Sequence, residues 1–177
     1  MADLLPDESL ESWLDPDTPE RLIDGRQSET ALRVRRGVGR LIRQLGASCI
    51  AEMTLVSGRR ADLVAIARTG EIWIIEVKSS LADLRADKKW PDYRDFCDRL
   101  YFATAPEVPL DPFPQDAGLM LSDGYGAEIL REATLHKLAG ARRKAVTLRF
   151  ARMAATRLHD LMDPRLSRGG LVGDSLL

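Results

Sequence analysis

The residues best placed to do chemistry are two carboxylates and a lysine at the ends of two apolar runs. Asp62 opens the run Leu63-Val-Ala-Ile-Ala67, and Glu76 and Lys78 close the run Ile72-Trp-Ile-Ile-Glu-Val-Lys78; the turn Arg68-Thr-Gly70 joins them. A three-residue hairpin loop with Gly70 in the left-handed position pairs Ala67 with Glu71 and sets Asp62 directly opposite Glu76. Opposed residues share a face, and strand alternation adds Lys78 to it. A two-residue loop would throw Asp62 to the other side. Two carboxylates form a hard-oxygen site suited to Mg²⁺ or Mn²⁺. A neighbouring ammonium can orient a water or meet negative charge growing on a phosphate.

Both faces of this hairpin are apolar: Val64, Ile66, Ile72 and Ile74 on one, Leu63, Ala65, Trp73, Ile75 and Val77 on the other. It therefore belongs in the middle of a sheet, covered on both sides. Charged groups at the rim of such a pair are costly unless they bind something. A Glu-x-Lys string alone carries little information, because both residues are common. Its weight comes from the Asp at the matching place on the preceding strand; without that context it reads as a solvated ion pair at a strand end.

The elements around the hairpin follow from local signals. Ser28 caps a helix that reaches about Leu45 and stops at Gly46, with Val34, Val38, Leu41, Ile42 and Leu45 at helical spacing. Its other side carries Arg33, Arg36, Arg40 and Arg43, either a solvated face or an edge that tracks phosphates. Cys49 to Val56 forms a strand, and Ser57-Gly58 turns it into the hairpin. Glu52 on that strand is an alternative acidic neighbour of the site, and Arg59 and Arg60 after the turn either reach phosphate or sit in water. Leu81 to about Leu100 is expected helical, interrupted or restarted at Pro91. Within it Lys88, Lys89, Trp90 and Tyr93 form a basic and aromatic cluster, either a nucleic-acid-binding surface or core and groove wall. A strand at 100–104, a proline-rich loop at 106–114 and a second hairpin at 118–131 follow. The last helix, about 139–162, has Val146, Phe150, Met153, Ala154 and Leu161 along one face and many arginines elsewhere. The alternation predicts an α/β fold, a mixed sheet with a central hairpin flanked by helices.

Charge is distributed unevenly. Residues 1–25 hold eight acids and one base, leaving 25 bases against 19 acids in the remainder, although the whole chain sums to −1. The expected organisation is an acidic, flexible arm over 1–26, a domain over 27–163 and a flexible tail over 164–177. A basic body fits a nucleic-acid partner. Cys49 and Cys97 lie far apart in apolar surroundings, and with His136 and His159 they show no zinc-ligand spacing. There is no long apolar run and no charged-then-apolar leader, so a cytoplasmic protein without membrane contact is expected.

Asp62 followed by Glu76-Val77-Lys78 on the next strand resembles the PD-(D/E)xK nuclease superfamily. The resemblance implies a restriction-endonuclease-like fold in which Asp62, Glu76 and Lys78 are catalytic. Asp62, Glu76 and the Val77 carbonyl would hold the divalent metal, and Lys78 would assist the attacking water. Ala61 stands where the name-giving proline would be. An acid on the first helix is frequent in that superfamily, which nominates Glu29. More closely, Gly58-Arg-Arg-Ala-Asp62, Glu71-Ile-Trp-Ile-Ile-Glu-Val-Lys-Ser-Ser80 and Lys89-Trp-Pro-Asp-Tyr93 resemble the bacterial MmcB-type DNA-repair family, from about Ser28 to about Ala151. That likeness implies DNA as partner, other repair proteins as further partners and Mg²⁺- or Mn²⁺-dependent phosphodiester hydrolysis. Two alternatives remain beside it: a catalytically inactive nucleic-acid-binding module and a repair adaptor. The oligomeric state is left open, a homodimer included.

Overall fold

The computed structural model describes residues 28–163; the acidic arm and the C-terminal tail expected from sequence lie outside the described residues. A helix, α1 (Glu29–Gln44), precedes three strands, β1 (Ser48–Thr54), β2 (Arg60–Ile66) and β3 (Ile72–Lys78). A short helix α2 (Leu81–Ala86) and a 3₁₀ helix (Trp90–Phe96) lead to β4 (Arg99–Thr104), β5 (Gly118–Ser122), β6 (Ala127–Arg131) and a long helix α3 (Gly140–Met162). The six strands form one sheet in sequence order, mixed because β3–β4 and β4–β5 are parallel and the other neighbours antiparallel. This is the expected α/β architecture.

The central hairpin has the register that its turn dictates. Ala67 N–H donates to the Glu71 carbonyl at 2.9 Å, Gly70 has φ +83°, and the ladder runs from Ile66–Ile72 to Leu63–Ile75. A left-handed residue is needed there, and glycine adopts it without a Cβ penalty. The two apolar faces are covered by different helices. Val34, Val38 and Ile42 of α1 pack with Leu63, Ala65, Ile75 and Val77 on one side. Val146 and Phe150 of α3 pack with Val64, Ile72 and Ile74 on the other. Gly37 lets α1 approach the β5–β6 hairpin closely, since a Cβ there would lie 2.3 Å from the Gly126 carbonyl oxygen.

Several boundaries differ from the sequence reading. The first strand ends at Thr54, because Leu55 N–H already closes the turn on the Arg59 carbonyl at 2.7 Å. Leu45, at the last turn of α1, is 48% exposed, and Leu161, near the end of α3, is 53% exposed. Both lie past the part of their helix that the sheet covers, so helical spacing alone overextended the apolar faces. The expected interruption of 81–100 is present but begins earlier than Pro91: α2 ends at Ala86, Asp87 after it is extended, and the 3₁₀ helix Trp90–Phe96 restarts the chain with Pro91 in its first turn. Cys49 and Cys97 are free thiols, and burial pushes both thiol pKa values up. Among the described residues no helix is long and apolar enough to cross a membrane.

The end of the sheet away from Lys78 is tied together by Asp98, which is 1% exposed. Its carboxylate accepts the N–H groups of Ile72 (2.7 Å) and Leu138 (2.9 Å) and both terminal nitrogens of Arg143 (2.8 and 2.7 Å). One side chain thereby joins β3, the segment before α3, and α3 itself. Burial opposes its charge, but the Arg143 and backbone hydrogen bonds win and hold its pKa below the usual carboxylate value. Asp98→Ala would strand Arg143 and two backbone donors, so it should lower the unfolding free energy by about 3–5 kcal/mol. Asp98→Asn should cost less. Urea denaturation with unchanged m-values checks both.

Candidate active site

The site forms where the central hairpin comes apart. Past Leu63–Ile75 the strands diverge: β2 stays with β1 through Ala61–Met53 and Arg60–Thr54, while β3 stays with β4 through Glu76–Phe102, Val77–Ala103 and Lys78–Thr104. Side chains take over where the ladder stops. Val77 N–H donates to Asp62 Oδ2 at 2.8 Å, and Asp62 N–H donates to Glu76 Oε1 at 3.3 Å. The fork opens into a cleft of about 320 Å³ whose floor is Asp62, Glu76, Val77 and Lys78. The start of α1, through Ser28, Ala31 and Arg35, makes one wall, and Ser79 and Asp83 make another.

Local sequence explains the walls. Ser28 Oγ accepts Ala31 N–H at 3.2 Å and caps α1 at the mouth of the cleft. Ser80 and Asp83 cap α2 reciprocally: Ser80 Oγ accepts Asp83 N–H at 3.1 Å, and Asp83 Oδ2 accepts Ser79 N–H at 3.2 Å. The chain therefore turns away immediately after β3, and Lys78 stays at the end of that central strand.

Electrostatics mark the floor as unusual. Glu76 is 4% and Lys78 5% exposed. Burial first, and the Asp62 carboxylate second, push Glu76 up to about 8, against the pull of Lys78 and the Asp62 N–H. Asp62 is also raised, chiefly by burial, with Glu52 and Asp83 adding and the Val77 N–H and Lys78 opposing. Burial works against the Lys78 charge, yet the Asp87 hydrogen bond and the carboxylates of Glu76, Asp87 and Asp83 outweigh it, so its pKa lies above the ordinary lysine value. The floor thus lacks the donors to hold two negative charges side by side, and its carboxyls are pushed toward protonation, the condition a divalent cation relieves.

The donor set fits such a cation. Among the described residues no three His, Cys, Asp or Glu side chains group as metal ligands. Magnesium, however, is commonly held by one or two carboxylates together with waters and a substrate phosphate. Asp62 and Glu76 would supply those carboxylates, and Val77, which lines the same cleft, would supply a carbonyl.

The other residues singled out from sequence fall elsewhere. Glu29 is exposed at the first residue of α1 and does not line the cleft. It stands six residues from Arg35, about 240° around the helix, so the helix offers the cleft a guanidinium instead of an acid. Glu52 lies on β1 between the Ala51–Leu63 and Met53–Ala61 pairs, across from Asp62, with φ +54°. Arg35 (3.2 Å) and Arg60 (2.6 Å) hold its carboxylate, so it acts on Asp62 through its field. Arg59 pairs with Asp92. Lys88 and Lys89 are exposed on the link between α2 and the 3₁₀ helix. Trp90 packs edge-on against Phe102 at 5.4 Å, and Tyr93, 7% exposed, donates its hydroxyl to the Arg60 carbonyl at 2.9 Å. Arg35, Asp83 and Asp87 were not foreseen at the site. Only Asp83 left a signal, in the Ser80-x-x-Asp83 capping spacing.

A family model described as "DNA repair protein MmcB-like" matches residues 18–165. The chain belongs to the MmcB-like family. Its fold is similar to that of a solved structure, the SPO1766 protein of unknown function from Silicibacter pomeroyi. The two are 41% identical, with a TM-score of 0.77, and the match covers 83% of this chain and 99% of the other. No curated protein matches the chain.

The raised carboxylates predict a stability profile. A carboxyl whose folded pKa is raised contributes stability that is complete below its unfolded pKa and is lost as pH climbs through the folded value. For Glu76 that window runs from the ordinary glutamate range to about 8. Metal-free protein should therefore lose stability from pH 5 to pH 8, with a slope of up to about 1.4 kcal/mol per pH unit from this one group. Glu76→Gln should flatten the profile. Asp87 and Asp98, whose pKa values are lowered, lose their contributions only in acid, outside that window. Melting temperatures across the range in chelator check the sign.

Proposed function

We propose that this protein is a divalent-metal-dependent nuclease acting on DNA in repair, with a site of the PD-(D/E)xK type. The observation that carries the reading is the forked floor: Asp62 and Glu76 buried together, both pushed toward protonation, beside a hydrogen-bonded lysine in a cleft. A purely structural pair would be expected to gather enough donors, as Asp98 does. The family's description as DNA repair proteins supports DNA as the substrate.

In this reading Asp62 and Glu76 hold the cation, which when bound neutralises phosphate charge and makes a water easier to deprotonate. Asp62 is kept in place by the Val77 N–H, and Glu76 by the Asp62 N–H, so both carboxylates present their remaining lone pairs to the cleft. Lys78 donates toward the attacking water and the non-bridging phosphate oxygens. Arg35, on the α1 wall, faces the same space and supplies positive charge to the flanking phosphate. Exposed Lys88 and Lys89 extend that charge beyond the cleft.

Labelled single-stranded, duplex, flap and junction DNAs incubated with Mg²⁺ or Mn²⁺ test the assignment. Wild type should cleave at least one of them, and chelator should abolish cleavage. Lys78→Ala should slow turnover by about a hundred- to a thousandfold, the usual cost of one transition-state donor. Glu76→Gln should lose divalent uptake by calorimetry while binding DNA as well as wild type or better in chelator. A wild type that takes up neither metal, free or on DNA, and cuts none of the substrates overturns the reading.

Binding itself should weaken steeply between low and physiological salt, because each neutralised phosphate releases counterion. Fluorescence anisotropy at graded salt measures the slope. An affinity indifferent to salt would contradict a phosphate-tracking surface.

A further inference from the structure

A buried lysine on a central strand needs a partner, and the obvious candidate from sequence is Glu76, two residues away on the same face. The geometry points to another: we propose that Asp87 is the positioning residue of the site, fixing the Lys78 ammonium so that Glu76 stays available to the cleft. Lys78 Nζ lies 2.7 Å from Asp87 Oδ2, a hydrogen bond, but 3.9 Å from Glu76 Oε2, beyond one. The kinetic part of this inference rests on the nuclease reading; the placement of the ammonium does not.

Asp87 is well placed for the task. It sits where α2 ends, with an extended backbone (ψ 97°) and its N–H on the Asp83 carbonyl at 3.2 Å. Its second oxygen, Oδ1, accepts Lys89 N–H at 2.9 Å, so the carboxylate is held from both sides. The next segment is anchored in turn, with Trp90 against Phe102 on β4 and Tyr93 on the Arg60 carbonyl of β2. The α2-to-3₁₀ connection is therefore fastened to the strands on either side of β3, and it presents one carboxylate to the lysine of β3. The break in the helix at Asp87 turns the backbone that follows, so that Lys89 N–H meets the carboxylate that Lys78 also holds.

The division of labour follows from the distances. Were Lys78 bonded to Glu76, the ammonium would occupy a carboxylate oxygen that a cation needs, and ion and lysine would compete for it. With Asp87 as the anchor, one N–H of Lys78 is spent on the anchor and the other two remain for water and phosphate. Asp87 touches neither substrate nor metal in this arrangement, so it acts through Lys78 alone. Residues that orient a catalytic group in this way commonly cost about ten- to a hundredfold in activity when removed.

Nuclear magnetic resonance of the lysine ammonium groups tests the placement in the full-length wild type, without cleavage. The Lys78 resonance, assigned by its loss in Lys78→Ala, should show a through-hydrogen-bond coupling to the Asp87 carboxylate carbon. A coupling to Glu76, or none, overturns the proposal. Asp87→Asn removes the charge and keeps an acceptor for Lys89 N–H; Asp87→Ser is a smaller substitute with the same acceptor role. Either variant should lose the slowly exchanging Lys78 signal and show kcat lowered about ten- to a hundredfold. At saturating metal, KM and DNA affinity should stay within twofold of wild type while divalent affinity falls as the released ammonium competes for Glu76, a split that a loss of fold would not give. Asp87→Glu should recover part of kcat. Unchanged kcat in Asp87→Asn, with an active wild type, overturns the positioning role. Should wild type cleave nothing, the nuclease reading fails, and the Lys78 coupling alone decides whether Asp87 holds the ammonium.

Discussion

The site depends on one substitution of hydrogen bonds. Along the central hairpin, backbone groups of β2 and β3 satisfy each other as far as Leu63–Ile75; one step further the Val77 N–H is taken by the carboxylate of Asp62. Had the backbone ladder continued, the strands would have stayed together and closed the cleft. Had nothing replaced it, a buried N–H would have gone unpaired, at a cost of about 1–3 kcal/mol. A side chain that ends the ladder does both jobs: it lets β2 follow β1 and β3 follow β4, and it fixes its own orientation in the gap. The Glu76 carboxylate repeats the device from the other strand by accepting the Asp62 N–H.

The two ends of β3 show how the same chemistry serves opposite purposes. At one end Asp98 is nearly inaccessible and has four donors within hydrogen-bonding distance, so it stays charged and ties three segments together. At the other, Glu76 is almost as buried but has one backbone donor at 3.3 Å, and its pKa rises to about 8. Burial is common to both; the difference is the count of donors. Lys78 shows the intermediate case, a buried charge with one close partner, Asp87, and further capacity facing the cleft.

The positive charge of the body is also less uniform in use than composition suggests. Arg143 secures Asp98 and the Gly70 carbonyl, Arg142 pairs with Asp95, and Arg157 reaches the Ala51 carbonyl from α3. Arg33 pairs with Glu107, and Arg40 donates to the Tyr125 carbonyl. These arginines fasten helices to the sheet and to its loops. The paired acids are already subtracted in the net surplus over 26–177, so these contacts leave it unchanged and only lower the number of guanidinium groups facing a polyanion directly; a planar, multi-donor cation is the residue suited to such internal use.

What the sequence determined by itself is whatever depends on neighbours along the chain. The Arg68–Gly70 turn and period-two alternation fixed the pairing of β2 with β3, hence the meeting of Asp62, Glu76 and Lys78. Ser28 and Gly46 bounded α1, and the apolar residues on both faces of the hairpin required a covered, central position. Tertiary structure decided what depends on segments distant in sequence or on how far an element is covered. Arg35 rather than Glu29 faces the cleft because the packed face of α1 sets its rotation. Trp90 and Tyr93 became anchors because the parallel crossing from β3 to β4 lays the 3₁₀ helix over Phe102 and Arg60. Asp87 meets Lys78 because the end of α2 lies beside the end of β3, a contact across nine residues that no periodicity in the chain marks. Spacing states which face a residue takes; it does not state what stands opposite when the partner comes from another element, and for a buried charge the partner decides whether it stabilises or reacts.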